Sequence, residues 1–200
     1  MSLVIAFIGS QGAAMAGDLR EIALGGEPGD VAALEGDLYR GTITDEEALH
    51  RRAAALGVTL RIRNDRVKVR DRGGVLTGEV GEREPGSERS RRLYAAAGRY
   101  ALVDVEGGRE TRRSGGGAGS FVVLGNEVAK GVARQCISEG WRNGTLEDAI
   151  KILIRTLEEA ARVTPTVSSA FLIVQTRSAA DPARLLAEDL AALKGQASGA

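Results

Sequence analysis

The chain has 200 residues, 27 Lys+Arg against 27 Asp+Glu, and 43% hydrophobic residues with only 4% aromatics. Zero formal net charge removes any global drive toward nucleic acid or an anionic membrane, and no apolar run approaches the ~20 residues that span a bilayer. The lone Cys136 excludes an internal disulfide, the lone His50 excludes a His/Cys zinc site, and the start lacks a basic signal region; the expectation is a cytoplasmic protein with no metal or cofactor.

The apolar run Leu3–Ile8 and the small-residue run Ala13–Gly17, joined by Gly9-Ser10-Gln11-Gly12, predict a β-hairpin with strands near 2–9 and 13–22. Gly25-Gly26-Glu27-Pro28-Gly29 breaks the pattern. Val31, Leu34 and Leu38 at helical spacing predict a helix near 30–39, and Thr44 with Glu47 forms a capping box for a second helix that stops at Gly57. Val58–Arg63 alternates apolar and polar residues, as a strand with one solvated face does. Asn64-Asp65 reads as a turn, and the next strand contains Lys68.

Residues 82–92 are polar and turn-rich, which predicts a mobile loop or hairpin tip. Strands near 92–97, 100–105 and 109–113 follow, the last two joined by Gly107-Gly108. The glycine-rich run Ser114–Ser120 reads as a flexible hinge, not as a phosphate loop, because no Gly-Lys-Ser/Thr follows. A helix near 126–140 buries Val128, Val132, Ala133, Cys136 and Ile137; another near 146–162 has Thr145 as N-cap and Leu146, Ile150, Leu153 and Leu157 as its stripe. A buried strand Phe171–Val174, a helix from Pro182 to near Lys194 and a frayed tail complete the chain. Strands, two helices and a strand suit an α+β layered sandwich.

The chemistry begins at Ser2. It is small enough for Met1 to be trimmed, leaving an α-amine beside a hydroxyl, so one residue carries both nucleophile and general base. The plainer reading is that Met-Ser is a common start and most such serines do nothing. Asp18-Leu19-Arg20 closes the second strand, and Lys68-Val69 lies on a later one. A lysine near the amine disfavours a second positive charge there; its plainer reading is a solvated lysine among arginines. In proteasome β subunits, which this arrangement resembles, an Asp at the place of Asp18 pairs with and fixes a Lys at the place of Lys68; the plainer reading pairs Asp18 with Arg20.

This arrangement resembles the N-terminal-nucleophile hydrolases, and more closely a proteasome β subunit. More specifically the chain resembles connectase, a proteasome-like protein ligase family of methanogenic archaea. The resemblance rests on the opening Met1-Ser2-Leu3, the insertion after Asp18-x-Arg20, Gly78-Glu79-Val80, Arg91–Tyr94, Gly98-Arg99-Tyr100 and Thr164–Ser168. It implies an αββα sandwich over residues 1–200 as one domain, with a helical insertion at about 28–57 and a polar loop at about 82–92. It also implies Ser2, Lys68 and Asp18 as catalytic residues, with Arg20, Asn126, Ser168 and Ser169 in support.

Asn126 stands where proteasome subunits place a Ser near the amine; it is equally a helix N-cap. Ser168 and Ser169 stand near a family Asp-x-x-Ser, but Thr164-Pro165-Thr166 replaces the acidic member; a polar loop before a strand is the plainer reading. The resemblance implies a monomeric transpeptidase that cuts a Lys-Asp-Pro-Gly-Ala motif between Asp and Pro and passes the acyl group to a chain beginning with Pro. Its substrate would be the A subunit of a methyltransferase of methanogenesis. Two other readings stay open: a peptidase or amidase using water, and a non-catalytic proteasome-like binding protein that keeps Met1. The arginines at 89–92 and 109–113 either steer an acidic partner or pair with nearby Glu.

Overall fold

The computed structural model describes residues 2–84 and 87–197. In chain order the elements are β1 (Val4–Gly9), β2 (Gly12–Asp18), β3 (Glu21–Gly25), α1 (Pro28–Arg40), α2 (Glu46–Ala55), β4 (Thr59–Arg63), β5 (Val69–Arg72), β6 (Val75–Glu84), β7 (Ser87–Ala96), β8 (Arg99–Glu106), β9 (Arg109–Gly117), β10 (Ser120–Leu124), α3 (Glu127–Gly140), α4 (Leu146–Val163), β11 (Phe171–Thr176) and α5 (Pro182–Ala197). The chain is thus mixed α+β, with five helices and antiparallel sheets. Met1, residues 85–86 and residues 198–200 lie outside the described residues.

The strands form a four-stranded sheet in the order β10-β1-β2-β11, a five-stranded sheet β5-β6-β7-β8-β9, and a separate pair β3-β4. β1 is a continuous apolar run because both of its faces are covered. Leu3, Ile5 and Phe7 point to one side and pack with Ala14 and Ala16 against Ala129, Ala133, Ala149, Leu153 and Leu157 of α3 and α4. Val4, Ala6 and Ile8 point to the other and pack with Ala13 and Met15 against Val69, Leu76, Leu93 and Ala95 of the second sheet. The far face of that sheet, through Val75, Tyr94, Ala101 and Val103, carries Leu186 and Leu190 of α5. The layers are therefore helices, sheet, sheet, helix.

β3, α1, α2 and β4 enclose a small core of their own, made of Leu34, Leu38, Ile43, Leu49, Ala53 and Val58. Gly41 ends α1 in the left-handed region (φ 72°) and packs so closely on α3 that an added Cβ would lie 2.8 Å from Val128 Cγ2.

Several sequence expectations change. The strand expected over 13–22 breaks after Asp18: Leu19 N donates to Ala170 O (3.2 Å), and Glu21–Gly25 pairs with β4 in a different sheet. Asp45, not Thr44, caps α2, its carboxylate accepting from Ala48 N at 2.8 Å. Lys68 sits immediately before β5, although its carbonyl continues the ladder by accepting from Glu79 N at 3.0 Å. Of residues 82–92, expected as a mobile loop or hairpin tip, 82–84 lie on β6 and 87–92 on β7, antiparallel strands paired from Leu76↔Ala95 to Glu84↔Ser87, so the loop reading gives way to strand at those positions; 85–86 lie outside the described residues. The expected hinge at 114–120 is also largely strand, with Gly115, Gly116 and Gly117 pairing with Ala101, Tyr100 and Arg99. The glycines serve close approach there, since a Cβ on Gly116 would lie 2.7 Å from Tyr100 Cε1.

Candidate active site

The antiparallel register that pairs Val4 with Gly17 sets Leu3 opposite Asp18. Asp18 N donates to Leu3 O (3.2 Å), and the Asp18 side chain bends back so that Oδ1 accepts from Leu3 N (2.8 Å). On the other side, Val4 pairs with Leu124, which brings Gly125 beside Ser2. An added Cβ on Gly125 would lie only 2.9 Å from Ser2 O. Two strands thus clamp the backbone of residues 2–3, and Ser2 remains on the border of an open cleft of about 1380 Å³.

Lys68 reaches the same place from the residue just before β5. Its side chain is 4% exposed and donates to Asp18 Oδ1 at 2.6 Å, while Asp18 is fully buried. Gly17 permits this approach: an added Cβ would stand 3.0 Å from Val69 Cγ1 and 3.4 Å from Lys68 Cβ. Burial pushes the Lys68 ammonium below its ordinary value of 10.5, and the Asp18 carboxylate partly opposes that shift. Lys68 also lines the cleft, so a buried cation meets solvent on the same wall as Ser2.

The other Asp18 oxygen holds the chain that follows. Oδ2 accepts from Arg20 N (2.8 Å) and Ser168 N (3.3 Å). Ser168 Oγ accepts from Leu19 N (3.1 Å) and donates to Ala170 O (2.6 Å), which ties the approach to β11 to the end of β2. Ser169 is exposed and enters none of these bonds. The Arg20 guanidinium radiates outward, donating to Asn64 Oδ1 (2.9 Å) and Pro165 O (2.9 Å) and pairing with Glu46 of α2 (3.0 Å). It links the ends of β2 and β4, the loop after α4, and the small helical core.

Asn126 caps α3, its Oδ1 accepting from Ala129 N at 2.9 Å. Its Nδ2 donates to Thr166 Oγ1 (3.2 Å), which in turn shares a hydrogen bond with Thr164 Oγ1 (2.9 Å). The Asn126 amide is therefore engaged with α3 and the threonine pair. Thr164 and Thr166, both buried, form a polar relay behind the site where the sequence lacks the expected acid.

The arginines at 89–92 lie on β7, where Arg91 pairs with Asp104 and Arg92 with Glu79; Arg113 pairs with Glu110. His50 is exposed near Glu46 on α2, and Cys136 is buried in α3. The residues missed from sequence are Leu3, whose backbone N–H is a ligand of Asp18, and Arg61, Arg66 and Arg70, which line the cleft. Alternation over Thr59–Arg63 did reveal a polar face, but not that this face looks into the cleft. Among the described residues no cluster of His, Cys, Asp and Glu could hold a metal ion, and no helix is long and apolar enough to cross a membrane.

This geometry can support acyl transfer. Ser2 and Lys68 both line the open cleft, and Lys68 Nζ and the backbone N–H that follows Ser2 meet on Asp18 Oδ1; a hydroxyl, a cation and an open cleft are what an N-terminal nucleophile uses once its amine is free. The family model described as "Connectase MJ0548-like, N-terminal domain" matches residues 1–191. Two solved structures are similar at low identity. Anbu (ancestral beta-subunit) from Yersinia bercovieri is 11% identical, with 98% of this chain and 95% of that chain covered, at TM-score 0.36. The Anbu (Gly-1) mutant from Hyphomicrobium sp. strain MC1 is 12% identical, with 100% and 97% covered, at TM-score 0.34. No curated protein matches the chain.

Proposed function

The chain belongs to the connectase family, and from that membership and the anchoring of residues 2–3 we propose that it is a protein ligase working through an acyl-enzyme on Ser2. The observation that carries the reading is one oxygen, Asp18 Oδ1, accepting from both Leu3 N and Lys68 Nζ. It fixes the start of the chain and a buried cation on the same atom.

In the proposed reaction Met1 is removed and the Ser2 α-amine takes the Oγ proton as Oγ attacks a peptide carbonyl. The peptide C–N bond breaks, the leaving nitrogen receives the proton, and an ester on Ser2 remains. An incoming amine then attacks the ester, its surplus proton passes to the Ser2 alkoxide, and a new peptide bond forms. The charge of Lys68 holds the Ser2 amine in its neutral, proton-accepting form. Arg20, Ser168 and the Asn126–Thr166–Thr164 relay position these groups; Ser169 has no assigned contact. By the family resemblance, the scissile bond is the Asp-Pro bond of a Lys-Asp-Pro-Gly-Ala segment in a methyltransferase subunit, and the acceptor begins with Pro.

The layer order supports an N-terminal-nucleophile αββα sandwich with residues 28–57 as its helical insertion, and by the family resemblance the protein acts as a monomer. The β6–β7 hairpin, which spans 82–92, is then added substrate-binding surface. The competing reading is a hydrolase, in which water takes the acyl group. Product partition separates the two. With a donor peptide containing Lys-Asp-Pro-Gly-Ala and an acceptor beginning with Pro, the ligase reading predicts a joined peptide as the main product. Free acid as the main product at saturating acceptor would establish the hydrolase instead.

A further inference from the structure

The whole molecule is charge-neutral, but its cleft is not. Among the described residues seven cationic side chains line it against four carboxylates. Several of these cations are already engaged: Lys68 with Asp18, Arg63 with Asp65, Arg72 with Asp189 and Arg92 with Glu79. Arg61 on β4, Arg66 in the connector and Arg70 on β5 have no carboxylate within 4.0 Å among the described residues, and all three are exposed. Four residues span at most about 14 Å, so Arg66 and Arg70 lie within reach of one short segment. Between Arg66 and Lys68, Val67 is 40% exposed, and Leu24 and Val31 also line the cleft.

We propose that Arg61, Arg66 and Arg70 form a specificity subsite for an acidic stretch of the polypeptide substrate beside the segment joined at Ser2. The inference rests on the ligase reading for its polypeptide substrate. Guanidinium groups on extended backbone match carboxylates borne on an extended chain, with two parallel N–H···O bonds available to each pair. The exposed Val67 favours a polypeptide over a nucleic acid, since side chains of alternating character fill such a wall.

The test measures anisotropy of fluorescein-labelled alternating Glu/Ala, Gln/Ala and Lys/Ala peptides, and of a single-stranded oligonucleotide, with the wild-type chain and Arg61→Gln/Arg66→Gln/Arg70→Gln. Far-UV circular dichroism and the thermal midpoint establish that the triple variant is folded. The expected result is that the Glu/Ala peptide binds best, loses about tenfold to hundredfold in affinity in the triple variant, and is released by raising the salt. Equal binding of the acidic and neutral peptides, unchanged affinity in the triple variant, or tighter binding of the oligonucleotide each overturns the subsite. Acyl-adduct formation on Ser2, measured separately, keeps the two readings distinguishable. Charge-selective binding without an adduct preserves the subsite and removes the ligase; an adduct with charge-blind binding does the reverse.

Discussion

A carboxylate offers about four acceptor positions, and Asp18 places them on Leu3 N, Lys68 Nζ, Arg20 N and Ser168 N. Full use of those positions makes a fully buried charge tolerable. Asp18 and Lys68 were named together by the family resemblance, and the structure does bring them into contact. Leu3 N was not, because a backbone donor leaves no trace in residue identity. Asn126 was legible in its plainer role, since an Asn before a helical stripe predicts a cap whatever else it does.

The titration of Lys68 gives a prediction at this scale. Its folded value is lowered by burial below 10.5. Between those two values the unfolded chain binds more protons, so this group's contribution to stability rises with pH across that window and is least below the folded value. In the proposed reaction activity runs the other way, because the Lys68 charge that keeps the Ser2 amine neutral is lost as pH rises through the lowered value. The rate profile should therefore fall on its alkaline side below pH 10.5. Lys68→Met should remove that limb and reduce kcat by about 10²–10⁴-fold. An alkaline limb unchanged in Lys68→Met would assign it to another group.

The elements carry a second lesson in Gly78, which the family resemblance quotes but whose reason only the packing supplies. An added Cβ there would stand 2.6 Å from Met15 Sδ and 2.8 Å from Val4 Cγ1, at the seam between the two sheets. Gly78→Ala should cost about 1–3 kcal/mol, read as a lower denaturant midpoint at unchanged slope. Gly131 in α3 meets nothing within 4 Å, so Gly131→Ala should stabilise by about 0.5–1 kcal/mol. Equal shifts for the two changes would deny the seam its tight fit.

Element type and order followed from periodicity; the failures came where a partner decides. Gly115–Gly117 read as hinge because glycine is permissive, yet β8 recruits it into the sheet. Residues 82–92 read as a mobile loop or hairpin tip because charge and turn formers dominate, yet register between β6 and β7 carries strand to Glu84 and from Ser87. The break after Asp18 was invisible because it depends on Ala170, far along the chain.

At the scale of the molecule, the seam between two sheets determines where chemistry can occur. β1 lies inside one sheet with both faces covered, so the residues just before it are held rigidly while their outer side opens to the cleft. The helical unit with its own core forms the opposite wall, and Arg20 ties the two walls at their base. The αββα layer order was given only by the family resemblance, whereas the α+β class was legible from the run of strands and helices. The cleft and its charge were not, because its arginines come from separate strands that only the assembled walls bring face to face.

Intact mass of the purified chain, alone and after mixing with a Lys-Asp-Pro-Gly-Ala peptide, tests the central claim most directly. The account predicts a chain lacking Met1 that gains the mass of the peptide portion ending in Asp, and no gain in Ser2→Ala. Retention of Met1 with no adduct, or an adduct that persists in Ser2→Ala, would contradict it.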